Sequence, residues 1–143
     1  MMKFREFLEE RKRSPQDAQK VIDYLAKRTV RSGGDKDEIP FKGHRYPGDS
    51  DPNLQPHMFT FMGKKKIPIK DLKPGQPTFS HTGVTHHIWG KRNERGPVIA
   101  VKYKDGIRVH DGHHRLKADQ AVGHTDAEVH LYKPNKNWKP EED

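Results

Sequence analysis

The stretch Val109-His110-Asp111-Gly112-His113-His114-Arg115-Leu116-Lys117-Ala118 constrains the fold of this chain more than any other. A strand-like run stops at Asp111-Gly112 and a helical pattern starts at once, so the backbone must turn from strand to helix with no linker between them. Gly112 permits that turn because it carries no side chain. The first turn of the helix then presents unpaired N–H groups and a positive end potential, which together make a ready site for an anion. His113, His114 and Arg115 occupy that turn. An arginine can grip phosphate oxygens through two parallel N–H groups, and a histidine exchanges a proton near neutral pH.

A plainer account of the same residues stands beside this. Arg115 lies four residues before Asp119, the spacing of a surface ion pair worth under about 1 kcal/mol. His110, His124 and His130 suit partly exposed positions. The charge balance tips the argument toward a polyanion: 28 Lys and Arg against 20 Asp and Glu leave a net charge of +8, the footprint of a chain that meets nucleic acid. Cysteine is absent, which excludes disulfides, thiolate metal sites and a cysteine nucleophile. No apolar run approaches the roughly 20 residues that span a bilayer. Residues 1–6 lack the apolar region of a secretory signal, so the expected location is the cytoplasm, with no membrane partner.

Phe4, Phe7 and Leu8 have helical spacing, and a cleaner helix follows Ser14-Pro15-Gln16-Asp17, with Ala18, Val21, Ile22, Leu25 and Ala26 on one stripe. Ser14 suits its cap, Pro15 its first position and Asp17 its positive end. This stripe is expected to cover the main domain, with a second copy in a homodimer as the other way to bury it. Residues 31–66 lose periodicity and are rich in Gly, Pro, Asp and Lys. Their apolar set, Phe41, Tyr46, Met58, Phe59, Phe61 and Met62, argues for docking on something, as a lid or a DNA contact. His57 to Met62 reads as an edge strand, and Asp49 and Asp51 as turn formers rather than metal ligands.

Ile67 and Ile69 alternate as a short strand, and Lys73-Pro74-Gly75 reads as a turn. Residues 78–92 read as a helix with Val84, Ile88 and Trp89 on its apolar side, weakened by Gly83 and Gly90. Residues 97–103 and 107–110 form a hairpin around Lys104-Asp105-Gly106. A helix from His113 to Val122 ends at Gly123, and residues 126–132 close the pattern as a last strand. The expected class is α+β, a mixed sheet with helices, divided into an N-terminal helical segment (1–30), an irregular segment (31–66), the main domain (67–132) and a polar tail (133–143).

The order strand, Asp-Gly, His-His-Arg helix start, Gly123 and closing strand resembles the ParB/sulfiredoxin-like superfamily, specifically its small ParB-like nuclease domains from phages and plasmids, over residues 67–132. The strand, Asp71-Leu72 and Pro74 turn ahead of it are similar to the start of that domain. The resemblance implies phosphate contacts from Gly112, His114 and Arg115. His113 stands where sulfiredoxins carry their reactive cysteine, which excludes that activity, and the Gly-Glu-Arg-Arg form of the partition proteins is absent.

The leading expectation is therefore a DNA endonuclease. His113 or His114 would act as general acid or base and Asp111 would assist catalysis, holding a Mg2+ ion shared with the substrate phosphate. Lys64, Lys65, Lys66, Lys91 and Arg92 would contact DNA. The alternatives are a non-catalytic DNA- or nucleotide-binding regulator or inhibitor from a mobile element, acting on a host protein, and a nucleotide hydrolase or kinase using ATP or CTP.

Overall fold

In the computed structural model, residues 12–41, 58–90 and 96–136 are described. The first helix, α1 (Pro15–Arg31), starts where the sequence demands it: Ser14 accepts the Asp17 N–H at 3.1 Å, proline occupies the first turn, and Arg28 and Arg31 lie in the last. Its buried residues are Ala18, Ile22 and Ala26. Spaced at i, i+4 and i+8, they form a narrower stripe than the periodicity suggests, since Val21 is 36% exposed and Leu25 only partly buried. The stripe packs on the other two described helices, α2 (His81–Trp89) and α3 (His113–Val122), in one core with Ile39, Phe79, Val84, Ile88, Ala118 and Ala121. The N-terminal helix thus covers the main domain, as expected. Arg13 fastens its start to the end of α3, donating through its backbone N–H to the Val122 carbonyl and through Nη1 to that of Ala121.

A polar seam ties α1 to α2. Gln19 donates to Thr85 Oγ1 (3.0 Å) and accepts from Trp89 Nε1 (2.9 Å), while His81 Nε2 lies 2.7 Å from Asp23 Oδ1. Two short strands, β1 (Ile39–Pro40) and β4 (Thr78–Phe79), pair antiparallel at the edge of this layer. Thr78 therefore belongs to a strand, and the helix expected from it starts three residues later, behind the Ser80 cap.

The second layer is a mixed five-stranded sheet of β2 (Phe59–Pro68), β3 (Leu72–Lys73), β5 (Val98–Tyr103), β6 (Gly106–Asp111) and β7 (Asp126–Pro134). Their order across the sheet is β2-β7-β5-β6-β3. β5 pairs antiparallel with β6 and parallel with β7, while β2 lies antiparallel on the outer side of β7. Ile67, Val98, Ala100, Val109, Ala127, Val129 and Leu131 point from one sheet face into a core completed by Ile69, Leu72 and Leu116. The mixed sheet with helices bears out the α+β class.

The strand β2 corrects the reading of residues 57–69. The two short strands expected there are one ten-residue strand, and Ile69 lies in a 3-10 turn (Ile69–Asp71). The reason is a bulge at Met62, where the register slips between Phe61 and Gly63, and Gly63 takes φ +107°. One extra residue shifts the alternation, so Phe59 and Phe61 before the bulge and Lys64 and Lys66 after it share a face. A period-two pattern cannot be followed through such a break. Likewise β7 runs on to Pro134, into the expected tail. The helix expected around Phe4, Phe7 and Leu8, together with Tyr46, Asp49, Asp51, His57, Lys91 and Arg92, lies outside the described residues. Among the described residues no helix is long and apolar enough to cross a membrane.

Candidate functional site

The turn from β6 into α3 has the geometry its sequence implies. Gly112 has φ +91°, and a Cβ there would stand 2.9 Å from Val98 Cα and 3.2 Å from the Pro97 carbonyl oxygen. Both the backbone conformation and the close approach of β5 require glycine. No side chain caps α3, whose regular bonding begins with the Leu116 N–H donating to the Gly112 carbonyl at 2.9 Å.

The two histidines that follow are acceptors. The Gly75 N–H donates to His113 Nε2 at 2.9 Å, and the Ser80 N–H donates to His114 Nε2 at 2.9 Å. A ring nitrogen that accepts must be unprotonated, so each ring carries its proton on Nδ1. His113 is 5% exposed. Burial, reinforced by His114, His110 and Arg108 nearby, lowers its pKa to about 4, and burial lowers that of His114 as well. Both imidazoles are held neutral near pH 7, and each clasps the loop between β3 and α2 to the start of α3. The His114 ring also packs on α2, where a Cβ on Gly83 would stand 2.9 Å from its Cδ2.

Arg115 turns away from this clasp. Its Nη1 donates to the Gly96 carbonyl, and its Nε lies 4.0 Å from Asp119 Oδ2, too far for a hydrogen bond. The i,i+4 pair is present but loose, and the close partner is the backbone ahead of β5. Asp111 is exposed at the end of β6, opposite Ile99 in register. His110 lies on the sheet face away from the helices, its Nε2 2.9 Å from the Tyr103 hydroxyl. Lys64, Lys65 and Lys66 lie on the outer strand β2. The fold therefore gathers Gly112, His113 and His114 and separates them from the lysine run. Among the described residues no three His, Asp or Glu side chains converge as a metal site would require.

Beside His113 is a cavity of about 390 Å³, between α3 and the segment that leads from β2 through β3. Leu72, Val109 and Leu116 line it with apolar surface, and Phe41 adds a ring 5.8 Å from that of His113. Lys70, Lys73 and Lys117 add positive charge. Lys73 Nζ donates to the Asp105 carbonyl (3.0 Å), and Lys117 Nζ lies 3.1 Å from Gln120 Oε1 and 5.1 Å above the Phe79 ring. Sequence reasoning missed this set. Two signals point toward it: the i,i+4 spacing of His113 and Lys117, which places both on one helix face, and the apolar set with Phe41, expected to dock on something. Lys70 and Lys73 arrive from another segment and carry no local mark.

No protein-family model matches this chain, and no curated protein matches it.

Proposed function

We propose that the chain is a nucleotide-binding regulator, with the cavity beside α3 as the place where the nucleotide sits. One observation carries the reading: a concave site of about 390 Å³ combines an apolar, partly aromatic wall with three lysines. That volume falls in the roughly 300–1,000 Å³ range of small-molecule sites. A flat base suits the Phe41 side and phosphates suit the lysines, which act on them as point charges. The resemblance to ParB/sulfiredoxin-like domains supports only the class of ligand, since Gly112, His114 and Arg115, which carry it, do not line this cavity.

Binding is favoured over DNA cleavage because both Nε2 atoms at the helix start are engaged with backbone amides. A general base needs a free lone pair within reach of the proton it removes. The experiment is calorimetric titration of the protein with ATP and CTP, with and without Mg2+, beside Lys70→Ala and Lys117→Ala and with plasmid nicking assayed in parallel. Saturable binding weakened about tenfold or more by each substitution is expected, the loss of one charge-assisted contact. Absence of binding, or equal binding by all three proteins, refutes the reading. Nicking by wild type that is lost in His114→Ala reinstates the endonuclease.

A further inference from the structure

We infer that the sheet face turned away from the helices binds single-stranded nucleic acid, a function separate from the nucleotide cavity on the helix side. The bulge at Met62 creates this face by bringing Phe61 onto the side that Lys64 and Lys66 occupy. Phe61 is 51% exposed. Its ring centroid lies 5.2 Å from that of Tyr132 and 5.9 Å from that of His130, so three rings stand together on neighbouring strands. In register, Phe61 is opposite Tyr132 and Lys64 is opposite His130. Tyr132 is opposite Val101, which is opposite Arg108.

At the end of the sheet, where the β5–β6 hairpin turns and β7 ends, a hollow of about 800 Å³ takes Tyr103 and Arg108 from this face, while its Lys102 and Lys133 alternate onto the side of Ala100 and Leu131, toward the helices. Four carboxylates accompany these cations: Asp105 at the hollow, Glu128 opposite Lys66, Asp126 two residues before it on the same side of β7, and Asp111 opposite Ile99, which is itself opposite His130. The positive charge that bears on the rings is local: Lys64 is opposite His130, and Lys66 lies two residues further along β2 on the same side.

Lysines on an outer strand commonly serve only to block edge-to-edge pairing. That purpose does not explain a half-exposed phenylalanine beside a tyrosine and a histidine, since apolar surface left in water forgoes the stabilisation of burial. Rings interleaved with cations are the arrangement that takes up a single strand: bases stack on the rings and phosphates meet the lysines. A duplex keeps its bases stacked on one another and would use the cations alone.

Fluorescence anisotropy tests this with a labelled 15-nucleotide deoxythymidine oligomer and the full chain in low salt, without nucleotide, so that failure of the cavity reading leaves the result standing. Saturable binding is expected, at least tenfold tighter than to a duplex of the same length. Phe61→Ala should weaken it about tenfold and Phe61→Trp should preserve it, as stacking requires. Lys64→Ala with Lys66→Ala should reduce the slope of log K against log salt by about 1.4, since each phosphate contact to a single strand contributes about 0.7. Phe61 is exposed enough for its variants to fold, and thermal melting checks this. Lack of binding in low salt, equal affinity for the duplex, or an unchanged Phe61→Ala variant overturns the inference.

Discussion

His113 should make the stability of this protein fall with pH between about 6.5 and 4. Its pKa in the fold is about 4, against 6.5 for an unperturbed histidine. The depressed value means that the unfolded chain takes up a proton that the folded chain refuses. Stability is therefore full above about pH 6.5 and is lost as pH falls toward 4. Between pH 7.5 and 4.5 the loss from this one group is about 2–3 kcal/mol. The lowered pKa of His114 acts in the same direction. Asp23, held low by Gln19 and then by His81, keeps its contribution until pH drops below its usual 3.8 and so stays outside the window.

The diagnostic variant is His113→Gln, whose side-chain oxygen can accept the Gly75 N–H in place of Nε2 but does not titrate. Urea unfolding across pH 4.5–7.5 should show the wild type losing about 2–3 kcal/mol more than the variant. His113→Ala should instead cost about 1–3 kcal/mol at pH 7.5 for the stranded Gly75 N–H alone. An NMR titration of the ring protons should place the His113 midpoint below pH 5. A midpoint at 6 or above, or the same pH slope in His113→Gln as in the wild type, would refute the account of this histidine as a buried neutral acceptor.

Gly112→Ala should destabilise by at least about 2 kcal/mol in urea unfolding, because the left-handed backbone costs about 1–2 kcal/mol and the new Cβ meets Val98 Cα at 2.9 Å. A loss under about 0.5 kcal/mol would show that β5 can give way. Gly83→Ala should raise helix propensity yet still destabilise by about 1–3 kcal/mol, since its Cβ displaces the His114 ring that accepts from Ser80. Net stabilisation would refute that packing. Ser14→Ala should cost about 1 kcal/mol by removing the acceptor of the Asp17 N–H, with no change in nucleotide affinity; an unchanged midpoint of thermal unfolding would refute the cap.

The features legible in the sequence are those decided within a few residues. Ser14-Pro15 and Asp17 start α1, Lys104-Asp105-Gly106 turns the hairpin, and Gly123 ends α3 with φ +109°. Asp111-Gly112 announces the strand-to-helix turn for the same reason: cap and turn chemistry acts over a few residues of the chain. The alternation of residues 126–132 is likewise local, and with the helices it was enough for the α+β class.

Tertiary structure alone decided what the box at the start of α3 does. His113 and His114 read as proton carriers, and both are acceptors because Gly75 and Ser80 bring backbone amides to them from at least 34 residues away. Arg115 read as a phosphate grip, with an ion pair to Asp119 as the plainer account, and its close partner is a carbonyl on another segment. The cavity needs Phe41, Lys70 and Lys117 from three parts of the chain, and the aromatic face needs a bulge that hides the strand's own period. Residue type and spacing state what a side chain can donate or accept. Which groups reach it, and whether water does, is settled only when distant segments pack, because burial and partner together set the protonation state and the role.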